Sequence, residues 1–351
     1  MSKAAKRIIP VYGIIELLPL CNMNCDMCYV RLSRKDMLKI SRLRTVEEWL
    51  QVAKEMQKAG TLFLLLTGGE PLLYPGFKKL YLELKNMGMI LTLNTNGTLL
   101  DENWAKFFGK YKPRRINITL YGASEQAYDK LCHYSKGFEQ TIKAIRLLKQ
   151  QGVDIRIGAS VTSANQQDIP EIFKIGNELD IPVRVDTYMV PATRERKSAF
   201  QYQTRMNPEA AAKEQIYCLR QEMGNEDFEK YRQKALWKIE NILPDNKPQP
   251  MTCYAGKSSF TINWKGEIQP CVILDYYKAS VFELGFEKAW HYIVKKVDQI
   301  RLNSGCSQCN LRPICRTCGA CALLETGHFD GRPDYICRYA NEYFDYLKKV
   351  K

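Results

Sequence analysis

Cys21-Asn22-Met23-Asn24-Cys25-Asp26-Met27-Cys28 stands directly behind Ile9–Leu18, an apolar run that reads as the first strand. Three thiols at C-x3-C-x2-C spacing therefore occupy a loop at a strand's carboxyl end. In folds built of alternating strands and helices, ligands and chemistry gather at that end. Three thiolates so spaced can hold three irons of a cubane and leave the fourth open. Electron-carrying clusters use four cysteines. An open iron implies that the cluster binds something besides protein.

Outward from this loop, residues 1–190 alternate between strand and helix periodicity. Further strands are expected at Leu62–Thr67, Ile90–Asn94, Arg115–Leu120, Ile155–Val161 and Val183–Tyr188. Thr45-Val46-Glu47-Glu48 is a capping box opening a helix to about Ala59. Pro75–Met87, a stretch capped by Asp101, Phe138–Gln151 and Ile169–Leu179 supply further helices. Six strands with intervening helices suit a six-unit partial barrel or an open doubly wound sheet. Residues 191–250 differ. Pro191–Met206 is polar, with Arg194, Arg196, Lys197 and Arg205, and reads as a linker or active-site loop. Asn207-Pro208-Glu209 then opens helical sequence to about Ile242. Residues 251–351 are dense in Cys and Gly, so sparse regular structure held by staples is expected there.

Of the 351 residues, 45% are apolar and 26% charged, which excludes a disordered chain. Apolar runs such as Leu62–Leu66 are far shorter than the ~20 residues of a membrane span. The basic start, Met1–Arg7, leads into Pro10 and Glu16 without a cleavage site, so it is no secretory signal. A reducing, cytoplasmic compartment follows, where thirteen cysteines point to metal rather than disulfides. The net charge of +14 is either a plain basic surface or suited to an anionic partner. No RNA-binding module is recognisable, which argues against nucleic acid.

The first cysteine cluster resembles the signature of the radical S-adenosylmethionine (SAM) enzymes, although Met27 stands where an aromatic residue is usual. The resemblance implies a 4Fe–4S cluster on Cys21, Cys25 and Cys28 whose open iron chelates SAM's methionine end. One-electron reduction then yields a 5′-deoxyadenosyl radical that abstracts a hydrogen atom. Gly68-Gly69-Glu70-Pro71 resembles the family's GGE motif for SAM's amino group; read by itself it is a tight turn before a helix. Asn94-Thr95-Asn96-Gly97 resembles the polar turn that lines SAM, which assigns Asn94 and Asn96 to cofactor binding. Thr119-Leu120-Tyr121-Gly122 keeps a hydroxyl but has Tyr121 where relatives carry an acid. Cys132 aligns with an arginine that faces SAM's carboxylate in relatives. Ser160 is a ribose or carboxylate contact, or a plain strand serine. The resemblance covers residues 9–190 and implies an α/β fold, a partial (β/α)6 TIM barrel.

The second cluster comprises Cys253, Cys271, Cys306, Cys309, Cys315, Cys318, Cys321 and Cys337. It resembles the SPASM extension of peptide- and protein-modifying maturases, except that Cys318 and Cys321 straddle one expected position. The resemblance implies a C-terminal Fe–S domain with two auxiliary 4Fe–4S clusters. Cys306, Cys309, Cys315 and Cys337 would bind the outer one; Cys253, Cys271, Cys318 and Cys321 the inner. A zinc ribbon is the alternative for the C-x2-C pairs.

SPASM relatives mostly modify peptides, so the leading expectation is maturation of a ribosomal peptide by a thioether or carbon–carbon crosslink. Only about twenty residues precede Cys21, so leader recognition is expected from a separate protein, or the substrate has no leader. A low-potential flavodoxin or ferredoxin would supply electrons. The alternatives are oxidation of a protein side chain, as in sulfatase maturases, oxidation of a small metabolite, or epimerisation. An epimerase needs a thiol, and Cys132 and Cys218 lie outside the clusters, either as donors or as buried small hydrophobes. Asp275, near the second SPASM-type cysteine, and Asp186, at the sixth strand's end, are candidates for a base.

Overall fold

The computed structural model describes residues 1–191, 193–196, 205–243, 245 and 247–350. Six parallel strands follow one another around a sheet: β1 (Tyr12–Glu16), β2 (Phe63–Thr67), β3 (Ile90–Thr95), β4 (Arg115–Thr119), β5 (Ile155–Ser160) and β6 (Val183–Asp186). Each pairs with the next in sequence. That order is the winding of a barrel; a doubly wound sheet reverses direction at a switch point. Helices Val46–Lys58, Phe77–Asn86, Glu102–Lys110, Gly137–Gln150 and Ile169–Glu178 cross over between strands. The capping box forms, with Glu48 N donating to Thr45 Oγ1 and Thr45 N to Glu48 Oε2.

Alternation sorts the strand residues. Ile15, Leu66, Leu93, Ile116, Ile118, Ile157 and Val185 are buried in the main apolar core, beneath the helices. The opposite face carries Glu16, Thr67, Asn94, Asn117, Thr119, Arg156, Ser160, Arg184 and Asp186. The lumen is therefore polar towards the strands' carboxyl ends.

Residues 251–350 carry more regular structure than their composition suggests. β7 (Ser259–Ile262) pairs parallel with β1, and β8 (Glu267–Gln269) and β9 (Ala279–Ser280) extend the sheet to nine strands among the described residues. Helices Phe286–Asp298 and Asp334–Lys349 add Phe286, Trp290, Ile336 and Tyr339 to the barrel's own core. The cysteine-rich segment thus borrows a core rather than relying on staples alone.

The other edge of the sheet is covered too. Pro208–Glu240 is helical with a break at Gly224, and Asn207 caps it by accepting from Ala210 N at 2.8 Å. Its Glu222 accepts from Val185 N (2.7 Å) and its Gln215 from Thr187 N (3.2 Å). Side chains thereby take up Val185 N of β6 and Thr187 N just beyond it, which covers part of the strand's outer edge. The stretch read as a linker contributes a short turn, Arg194–Arg196; Lys197 lies outside the described residues.

Candidate active site

The loop 21–28 is built onto its neighbours by backbone and amide bonds. Asn24 N and Asp26 N donate to the carbonyls of Cys132 and Leu131, at the end of helix Glu125–Cys132. Asn22 Nδ2 donates to Thr98 Oγ1 at 2.8 Å, and Asn96 Nδ2 to Asn22 Oδ1 at 3.0 Å. The Cys21 sulfur accepts from Met23 N (3.4 Å) and Asn96 Nδ2 (3.7 Å); that of Cys28 accepts from Arg31 N (3.3 Å). Such donors favour thiolates. Without a metal, burial pushes the Cys21 thiol up to about 12. Cys25 is raised by a hydrogen bond with Cys132 and by burial.

Gly68 and Gly69 bring the end of β2 against the backbone leading into this loop. A Cβ on Gly68, whose φ is +150°, would meet Leu18 O at 2.5 Å; one on Gly69 would meet Leu20 O at 2.2 Å. The two glycines therefore set the close approach of β2 to the loop. Glu70 is fully buried. Its carboxylate accepts from Leu72 N (3.1 Å), Thr95 Oγ1 (2.8 Å) and Asn96 N (2.9 Å), fixing the turn after β3. It has no ion pair among the described residues, and burial raises its pKa to about 7. Asn94 Oδ1 accepts from Asn117 Nδ2 at 2.7 Å in the lumen. Thr119 and Ser160 lie at strand ends on the same face.

The loop is also held by a feature that sequence reading missed. Arg194, buried and with a left-handed φ of 63°, pairs with the buried Glu16 at 2.6 Å. Tyr29 Oη donates to the same Glu16 oxygen at 3.2 Å. Two residues on, Arg196 Nη1 donates to Cys25 O at 3.0 Å, while Glu195 accepts from Trp264 Nε1 at 3.1 Å. Glu16 itself was the available signal: a charge in an apolar strand requires a buried partner.

The eight C-terminal thiols fall into two groups. Cys306 neighbours Cys337 and Cys309, and Cys315 neighbours Cys337 and Cys306. These four line a cavity of about 290 Å³, which Cys318 also borders. Cys271 neighbours Cys318 and Cys253, and a hydrogen bond with Cys321 pulls the Cys318 thiol down. Among the described residues no three ligand side chains converge as a single ion requires.

Of the remaining candidates, Asp186 Oδ1 accepts from Arg316 Nη1 at 2.9 Å. Asp275 Oδ1 accepts from Thr193 Oγ1 at 3.4 Å. Cys218 and Cys132 are wholly buried in the core. Burial raises the Cys218 thiol far above its ordinary value.

Residues 15–174 match the family model described as the Radical SAM superfamily. That stretch belongs to the superfamily. This radical SAM enzyme is 25% identical to the AdoMet-dependent heme synthase of Methanosarcina barkeri (strain Fusaro / DSM 804), over 90% of this chain and 92% of that one. It is 22% identical to the antilisterial bacteriocin subtilosin biosynthesis protein AlbA of Bacillus subtilis (strain 168), over 95% and 71%. Among solved structures, Streptococcus suis SuiB bound to precursor peptide SuiA superposes with a TM-score of 0.71 at 19% identity, over 96% of this chain and 78% of SuiB. The fold is thus the radical SAM partial barrel. Its cofactors are S-adenosylmethionine and a 4Fe–4S cluster, and the cysteine-rich end fits auxiliary clusters. No helix among the described residues is long and apolar enough to cross a membrane.

Proposed function

We propose that this radical SAM enzyme modifies a peptide, joining two of its side chains by a thioether or carbon–carbon bond. The observation that carries the reading is the triple grouping of thiols: three beside Glu70 and Asn96, and two sets of four against the barrel. Similarity to AlbA, a bacteriocin biosynthesis protein, supports a peptide as substrate. When bound, the reduced cluster and SAM supply a radical that abstracts hydrogen. Cys21, Cys25 and Cys28 would hold the cluster. Glu70 would face SAM's ammonium, with Gly68, Gly69, Asn94, Asn96, Thr119 and Ser160 along the cofactor. Two C-terminal clusters would accept the electron that a crosslink releases. A flavodoxin or ferredoxin and, for a substrate with a leader, a separate leader-binding protein complete the reading, in the cytoplasm.

The heme synthase similarity favours a second reading, oxidation of a small metabolite. Co-expression with the short peptides encoded in the same genome separates the two. Crosslinking makes one peptide lighter by two hydrogens for each 5′-deoxyadenosine formed. 5′-Deoxyadenosine formed with every peptide unchanged, while a metabolite loses hydrogen, overturns the peptide reading.

A further inference from the structure

Gly158 sits at the centre of a charged patch in the barrel lumen. Thr119 on β4 and Arg184 on β6 stand directly across from it. Arg156 and Ser160 flank it two residues away on its own strand, on the same face. Arg156 and Arg184 are thus diagonal neighbours on adjacent strands, where long side chains meet. A Cβ on Gly158 would meet nothing within 4 Å, so the floor between the two guanidinium groups is open.

The two arginines are like charges on neighbouring strands, with Glu222 and Asp154 attracting Arg156 from beyond ion-pair distance. Neither has an ion pair within 4 Å among the described residues, whereas Arg115 beside them is paired with Asp154 at 3.0 Å. No nearby carboxylate reaches ion-pair distance of either arginine among the described residues. Asp186 is held by Arg316, and Glu222 Oε1 accepts from Val185 N. Burial, Arg115 and Arg184 hold the Arg156 guanidinium below its ordinary value against the opposing pull of Glu222 and Asp154. Directly across from Arg156, Asn117 donates to Asn94 and keeps a buried Oδ1 with no donor. Two unpaired guanidinium forks beside an unpaired amide acceptor complement a carboxylate with a neighbouring N–H.

We propose that Arg156 and Arg184 form a carboxylate-binding subsite over Gly158, which anchors the substrate in the lumen while Asn117 receives an N–H. The proposal deepens the peptide reading, on which only the N–H contact rests. Thr119 and Ser160, read above as cofactor contacts, border Gly158, so measuring on the SAM-bound enzyme, and the effect of the arginine variants on SAM binding, separates this subsite from SAM's own carboxylate.

The test is anaerobic calorimetry on the reconstituted, SAM-bound enzyme with three probes. These are a capped diglutamyl peptide, its diglutaminyl counterpart, and tricarballylate, a carboxylate without a peptide backbone. The diglutamyl peptide and tricarballylate should bind, and the diglutaminyl peptide should not. Arg156→Gln with Arg184→Gln should weaken both acids about ten- to a hundredfold. Arg156→Lys with Arg184→Lys, which keeps charge but loses the fork, should fall between. Gly158→Val, which fills the floor and suits a strand, should abolish binding with both arginines present. The exposed pair Lys143→Gln with Arg146→Gln controls for total charge. Tricarballylate binding alone supports the subsite and removes the peptide reading. Equal losses in the control pair, equal binding of the diglutaminyl peptide, or weakened SAM binding in the double variant each overturn the proposal.

Discussion

At Glu70, three hydrogen-bond donors fail to hold the carboxylate in its ordinary range, because it is fully buried without a cation among the described residues. A folded pKa of about 7, above the ordinary carboxylate value, means that its stabilising contribution is complete below pH ~4.5 and lost as pH rises through ~7. An ammonium bound beside it reverses this by favouring the charged form. SAM binding near pH ~6.5 should therefore release a proton, read as a heat that depends on the buffer's ionisation enthalpy. Glu70→Gln should lose Glu70's share of the release and leave only the proton that SAM's amino group sheds on ligating iron. Glu70→Ala should lose ~1.5–3 kcal/mol of SAM affinity, or about 10–150-fold. An undiminished proton release in Glu70→Gln would place the ammonium elsewhere. Cys218 carries a contrasting prediction. It is buried against the core, so it behaves as a small hydrophobe and not as a hydrogen donor. Cys218→Ala should stay active, with product two hydrogens lighter. Product of unchanged mass that gains one deuterium in D₂O, together with a dead Cys218→Ala, would establish epimerisation instead.

The element that decides the site is the cluster loop, and it is held from both sides. Glu16–Arg194 ties the end of β1 to the turn at 194–196, and Arg196 bonds the loop at Cys25 O. Both members of the pair are buried, so removing one leaves a buried charge and costs about 3–5 kcal/mol. Glu16→Gln should lower the melting temperature and slow cluster assembly. Glu16→Leu with Arg194→Met should regain most of the stability, because it leaves no charge behind. A double variant as unstable as the sum of the singles would show that the two residues do not act as a pair. Glu16 signalled that a buried partner was needed, but not which one, since the partners lie 178 residues apart. What was legible is local. The crossover strands are apolar runs bounded by polar turns, and β3 to β6 begin where alternation places them. β1 starts only at Tyr12, after Pro10, which has no N–H to give a ladder. The strands β7 to β9 are two to four residues long, too short for any period to register. The cysteine spacing could be read because thiols of one loop share one site. Arg156 and Arg184 gave a fainter signal, charges alternating with Ile and Val inside strands, whose meaning needs the register.

Across the whole molecule, the three thiol groups stand on separate supports. The first is a loop on the barrel. The others use the segments around β7 and β8 and the helices Gly319–Thr326 and Asp334–Lys349. Because the barrel core is apolar and continuous, losing one cluster should leave the fold and the other two groups in place. Anaerobic reconstitution should give about twelve irons and twelve sulfides per chain, four for each group. Changing Cys21, Cys25 and Cys28 together to Ala should remove about four irons and all SAM cleavage, with melting behaviour close to that of the parent. Changing Cys306 and Cys309 to Ala should also remove about four irons but leave SAM binding intact, since Glu70 and Asn96 are untouched. Iron and zinc measured together by plasma mass spectrometry, beside acid-labile sulfide, decide the matter. Tightly held zinc in the C-terminal groups would sink the auxiliary clusters, and with them the electron acceptor that an oxidative crosslink requires.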